Sequence, residues 1–135
     1  MQLVVNTSDE LPIYRQIMRQ ITEAIAVGRL KAGEKLPSHR ELSEQIVVAP
    51  LTVKKAYDEM EALGYIETRR GRGTYVRATL PRVDRGGQLD RLNQDARKLL
   101  AQAYLAGLGL PEVMELLRGA RRELAQGPPE KKDKS

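Results

Sequence analysis

The stretch Leu36–Arg77, reading LPSHRELSEQIVVAPLTVKKAYDEMEALGYIETRRGRGTYVR, leaves a chain like this few ways to fold. A short helical pattern meets a tight turn at Val47-Val48-Ala49, and a longer helical pattern starts at Pro50. Two strand-like runs, Tyr65–Arg69 and Thr74–Arg77, come next, joined by a turn rich in glycine and arginine. Each boundary carries its own punctuation. Ser38-His39-Arg40-Glu41 fits a capping box, in which the serine oxygen accepts the backbone N–H three residues on and the glutamate reaches back. Leu42 and Ile46 mark the inner face of the helix that follows. Pro50 suits a first helical turn, where its missing N–H has no partner to lose. Val53, Ala56, Tyr57, Met60 and Leu63 then fall on one face, and Gly64 ends the helix. Helix, turn, helix and hairpin in this order predict a winged helix-turn-helix.

The outward side of the longer helix is informative. Opposite its apolar stripe lie Leu51 and Lys55, with Thr52 and Lys54 on the flanks. Lys54 and Lys55 occupy the first half, whereas Asp58, Glu59 and Glu61 occupy the second. Only the N-terminal half therefore suits an approach to phosphates. In the hairpin, Arg70-Gly71-Arg72-Gly73 places glycines where positive φ is needed and arginines at the tip. Such a tip fits a minor groove or a phosphate strand, because glycine lets the backbone come close and arginine supplies charge.

The rest of the chain supports that unit. Leu3, Val4 and Val5 form a brief strand or arm. A first helix runs from about Pro12 to Val27, with Tyr14, Ile17, Met18, Ile21, Ala24 and Ile25 on one face and Gly28 as its stop. Arg29–Leu36 reads as a connection with a turn at Ala32-Gly33-Glu34. Thr79–Gln88 marks a linker. Two more helices follow, one with Leu89, Leu92, Ala96, Leu99, Leu100 and Ala103 on its apolar side. The other starts at Pro111, with Val113, Met114, Leu117, Ala120 and Leu124. This hairpin, residues 89–126, is too small to enclose a core, so its apolar faces call for a cover. Self-association is the favoured cover, two-fold dimers being the commonest oligomers. The tail 127–135, GPPEKKDKS, has the composition of a disordered segment.

Composition closes off most other functions. The chain has 135 residues, 41% hydrophobic and 30% charged, the size of one domain plus an appendage. Phe and Trp are absent, so the core is aliphatic and modest, and a partner subunit adds to it. The net charge of +5 favours polyanions. Five arginines and no acid stand between Arg69 and Arg82, which concentrates that charge. With no cysteine and a single histidine, His39, thiol catalysis, disulfides and Cys- or His-rich metal sites are excluded. The carboxylates form no acid–base constellation beside a nucleophile, so neither an enzyme nor a cofactor is expected. No apolar run approaches the ~18 residues of a membrane span. MQLVVNTSDE lacks the features of a secretory signal, so the expected compartment is the cytoplasm.

The motifs PIYRQI, LPS-x-REL, TV-x-KAY-x-x-ME-x-x-GYIE and RGRGTYV, in this order over Leu11–Arg77, resemble the DNA-binding domain of the GntR family of bacterial transcriptional regulators. The short helical C-terminal part is similar to the YtrA subfamily. The resemblance implies DNA contact by Arg40 of the LPS-x-R motif and by Thr52, Lys54 and Lys55 early in the recognition helix. It implies the same for the wing residues Arg70, Gly71, Arg72 and Gly73, and for Ser38, which caps its helix and touches phosphate. Three positions depart from the family pattern. Val47 stands where glycine is common, Ala49 where a polar N-cap is usual, and Leu51 where Asn or Thr is common.

The expected architecture is therefore mainly α with a small β-hairpin. It comprises a winged helix-turn-helix over residues 1–78, a linker over 79–88 and a dimerisation hairpin over 89–126. The expected function is sequence-specific binding of double-stranded DNA by a homodimeric repressor at an inverted-repeat operator. The hairpin alone is too small to enclose a large metabolite, and the sequence names no effector. The alternative, a protein-interaction module without DNA readout, is disfavoured by the basic wing and the Lys54/Lys55 pair.

Overall fold

The computed structural model describes residues 1–79 and 85–127. The elements in chain order are α1 (Ile13–Ala26), β1 (Lys35–Leu36), α2 (His39–Ile46), α3 (Pro50–Leu63), β2 (Ile66–Arg69), β3 (Gly73–Val76), α4 (Arg85–Leu105) and α5 (Leu110–Gln126). Met1–Pro81 with Leu124–Ser135 forms one compact unit, and Arg82–Glu123 forms the other. Parts of the expected linker (80–84) and tail (128–135) lie outside the described residues, and α4 already begins at Arg85.

In the first unit α3 packs against α1, α2 and β2. Ile17 and Ile21 from α1, Leu42 from α2, Val53, Ala56 and Met60 from α3, and Leu36, Ile66 and Val76 from the sheet meet in one aliphatic core. Each large side chain buried this way contributes ~1.5–3 kcal/mol, which is how a short helix such as α2 is held. Leu63 departs from the expected inner face and is 55% exposed. It sits at the edge of the stripe, roughly a quarter-turn from its centre.

Two glutamines on α1 do what the apolar periodicity does not reveal. Gln16 and Gln20 are both buried. The Gln20 amide accepts the Val4 N–H at 2.9 Å and donates to the Val4 carbonyl at 2.6 Å. The Gln16 amide treats Asn6 the same way, both bonds at 2.8 Å, and also donates to the Leu11 carbonyl. Positions four apart on a helix lie about 6 Å apart, close to the span of alternate residues in an extended chain. The pair therefore acts as a surrogate strand, and the N-terminal arm is anchored by side-chain amides in place of a sheet.

The sheet has a third strand beyond the expected hairpin. Its order is β1-β3-β2, all antiparallel. Lys35 pairs with Tyr75 and Leu36 with Thr74. Backbone bonds from Gly33 N–H to the Val76 carbonyl and from Val76 N–H to the Glu34 carbonyl, both 2.9 Å, extend this pairing. A strand of two residues offers no alternation to detect, so RLKAGEKL reads as a plain connection in the sequence.

The second unit is a helical hairpin. Its loop turns at Gly107, with φ 82°, and the Glu112 carboxylate accepts the Gly109 N–H at 2.9 Å, capping α5. Ala103 and Val113 are buried, while Leu89, Leu92, Leu105, Met114 and Leu117 remain exposed. Among the described residues no helix is long and apolar enough to cross a membrane, and no acidic, His or Cys cluster could hold a metal.

Candidate nucleic-acid interface

Ser38 ends an extended segment and caps α2: its Oγ accepts the Glu41 N–H at 3.1 Å. No return bond from the Glu41 carboxylate is present among the described residues. Arg40, in the first turn that Ser38 sets, is exposed and makes no ion pair among the described residues. The segment before α2 is tied to α3 by the buried Tyr57, whose hydroxyl donates to the Pro37 carbonyl at 2.7 Å. Burial raises the Tyr57 phenol well above the usual tyrosine range, and the nearby Glu41 charge adds to the rise. That bond, with the packing of Leu42 in the core, sets where the Arg40-bearing turn stands relative to α3.

The turn between the helices is tightly specified. Val47 adopts left-handed backbone, φ 54° and ψ 54°, and is 89% exposed. The Val48 N–H reaches back to the Ser43 carbonyl at 3.1 Å, and the Ser43 hydroxyl donates to the Val48 carbonyl at 2.6 Å. These reciprocal bonds hold Val47 in a conformation that costs a β-branched residue ~1–2 kcal/mol. α3 then starts at Pro50 without any side-chain cap, since Ala49 has no acceptor to offer.

On α3, Thr52 is half-buried, and Lys54 and Lys55 are exposed. Both lysines have internal partners. Lys54 pairs with Asp58 at 2.8 Å, one helical turn on, and Lys55 stands 4.2 Å from the centre of the Tyr14 ring. An exposed pair of this kind is worth ~0.3–0.5 kcal/mol and an exposed cation–π contact ~0.5–1 kcal/mol. Neither holds its cation against a phosphate. Glu61, in the acidic half, turns to the sheet and accepts the Thr68 N–H at 3.0 Å. The helix thus keeps its cations, exposed and only weakly engaged, in the first half.

The wing is stiffened at its base and open at its tip. Arg69 donates to the Glu67 carboxylate at 2.8 and 3.0 Å and lies 4.4 Å from the Tyr75 ring centre. The Tyr75 hydroxyl donates to the Arg72 carbonyl at 3.0 Å. Arg69 is therefore a structural cation, while Arg70 and Arg72 are exposed. Gly71 and Gly73 have φ of 74° and 113°, so the turn requires them whatever they touch. Sequence reasoning missed Lys35 here. A Cβ placed on Gly73 would lie 2.9 Å from its Cε, so its flexible chain runs beside the wing. Only the pairing of β1 with β3 reveals that neighbour, and only the packing of α1 on α3 places Tyr14 beside Lys55.

Comparison with known proteins agrees with this geometry. The family described as bacterial regulatory proteins, gntR family, matches residues 13–76. The HTH-type transcriptional repressor YtrA of Bacillus subtilis (strain 168) is 36% identical over 91% of this chain and 95% of its own. A solved structure titled a transcriptional antiterminator from Listeria monocytogenes EGD-e aligns over 98% of both chains, with TM-score 0.79 and 29% identity. The DNA-binding domain of AraR, solved in complex with operator ORX1, covers 56% of this chain and 98% of its own, with TM-score 0.51 and 28% identity. A winged helix with exposed cations on α2, the first half of α3 and the wing tip, together with these likenesses, shows that the chain belongs to the gntR family of bacterial regulatory proteins, as a DNA-binding transcriptional regulator of the YtrA kind.

Proposed function

We propose that this DNA-binding transcriptional regulator is a cytoplasmic repressor that acts as a homodimer on an inverted-repeat operator. α3 enters a major groove, and the wing lies along the neighbouring minor groove or backbone. Arg40, Thr52, Lys54 and Lys55 face the groove and its phosphates, with Ser38 beside them. Arg70 and Arg72 meet the backbone, and Gly71 and Gly73 shape their approach. The observation that carries this reading is the polarity of α3, with exposed lysines in its first half and the Glu61 carboxylate drawn to the sheet. The relative named a repressor and the domain bound to its operator support it. The exposed apolar side chains of α4 and α5 supply a surface for a second copy. Half-sites then stand about one helical turn apart, or a multiple of it.

The test is a titration of labelled duplex from the protein's own promoter, against random duplex of equal length, at two salt concentrations. Two protomers per specific duplex and a preference of at least ~10³ over random DNA are expected. Equal binding to both duplexes defeats sequence-specific repression, and one protomer per duplex defeats the dimer.

A further inference from the structure

Two side chains flanking the start of α3 give the fold almost nothing. Leu51, the second residue of α3, is 79% exposed, and Val47 on the preceding turn is 89% exposed. They are the most exposed large apolar residues of the first unit among the described residues. Val47 even holds left-handed backbone, where a β-branched residue is strained. Neither is explained by packing among the described residues. Both stand at the end of α3 that also carries the exposed cations Lys54 and Lys55, held only by the weak contacts to Asp58 and Tyr14, so an anionic duplex is the partner whose charge fits that end.

A leucine cannot read a base edge by hydrogen bonding. In the major groove the one apolar group on a natural base pair is the 5-methyl of thymine; every other distinguishing feature is a donor or an acceptor. We propose that Leu51 is a specificity-determining residue that selects a thymine in each half-site by covering its methyl group. Val47 extends the apolar surface on the turn side. This rests on the DNA-binding reading above and adds the base it prefers. A purine or a cytosine there leaves polar atoms facing the leucine without a partner, which costs affinity.

The experiment starts by enriching a binding sequence from a random duplex pool with the wild-type protein. Each thymine of one half-site is then replaced in turn by deoxyuridine, which removes only the methyl group. At one position the wild type is expected to lose about fourfold in affinity, the equivalent of one buried methyl. Leu51→Ala, on an exposed site with a good helix former, is expected to bind both duplexes equally at that position. Leu51→Asn is expected to enrich adenine there, since its amide pairs with the N6/N7 edge. If the wild type and Leu51→Ala lose equally at every thymine, or if no methyl matters, the assignment is wrong while DNA binding stands. If the wild type enriches no sequence at all, sequence-specific binding falls together with it.

Discussion

Val47 shows how much one side chain can oppose its own backbone. Its φ of 54° belongs to the region where L residues other than Gly, Asn and Asp are uncommon, yet Ser43 and Val48 lock the turn around it. Val47→Gly removes the steric cost of ~1–2 kcal/mol but frees the unfolded chain by about half as much. A net gain of about 0.5–1 kcal/mol in urea unfolding is expected. A loss would mean that the valine side chain contributes packing that its exposure conceals. Tyr57 carries a pH-dependent contribution to stability. Unfolded, its phenol ionises near ~10; folded, burial and Glu41 hold it protonated above that. The unfolded state therefore releases the proton first. Stability is whole below about pH 10 and falls as pH rises beyond it. Tyr57→Phe is expected to cost about 1 kcal/mol at neutral pH, through the lost bond to Pro37, and to reduce the decline above about pH 10. Unfolding titrations at the two pH values check both parts, and an undiminished alkaline decline would assign it to other groups.

At the scale of elements, α2 and the wing are both too small to stand alone and are held by specific side chains. α2 has eight residues, and its position follows from the Leu42 anchor, the Ser43 clamp and the Tyr57 bond to Pro37. The wing has four residues per strand at its hairpin, and Arg69, Glu67 and Tyr75 brace it, leaving Arg70 and Arg72 exposed. Arg72→Ala is expected to lower the slope of log affinity against log salt by about 0.9 per wing, because one fewer counterion is released. The same substitution is expected to spare thermal stability, as Arg72 contributes only its carbonyl to the Tyr75 bond. An unchanged salt slope would take the wing arginine off the DNA.

The whole molecule joins a unit with its own aliphatic core to a helical hairpin that buries little of its own surface. Leu92 on α4 is 54% exposed and Leu117 on α5 is 49% exposed, on helices whose sequence marks both as apolar-side residues. Covering such groups is the largest favourable term available to a chain of this size. If the proposed homodimer forms through these faces, the double substitution Leu92→Glu, Leu117→Glu is expected to leave a monomer where the wild type is dimeric in sedimentation equilibrium. It is also expected to weaken operator binding by at least ~10²-fold, through loss of the second half-site. A variant that remains dimeric would place the interface elsewhere.

Local pattern was enough for the helices of the winged unit, the Ser38 cap and the basic stretches, but not for the Glu41 half of the capping box or for the start of α4 at Arg85. Ser38, Pro50 and Gly64 act on backbone groups within a few residues of themselves, and the apolar stripe of α3 depends only on the helical period. The motif order from Leu11 to Arg77 carried the family as well. What tertiary structure alone decided involves partners distant in sequence. The Gln16 and Gln20 amides read as polar surface until the arm lies across them, ten and sixteen residues away. β1 exists only because β3 is there to accept it, and Lys35 reaches the wing through that pairing. Lys55 meets Tyr14 only once α1 packs on α3. Periodicity reports which face of an element is buried; which neighbour buries it is settled by contacts that no local window contains.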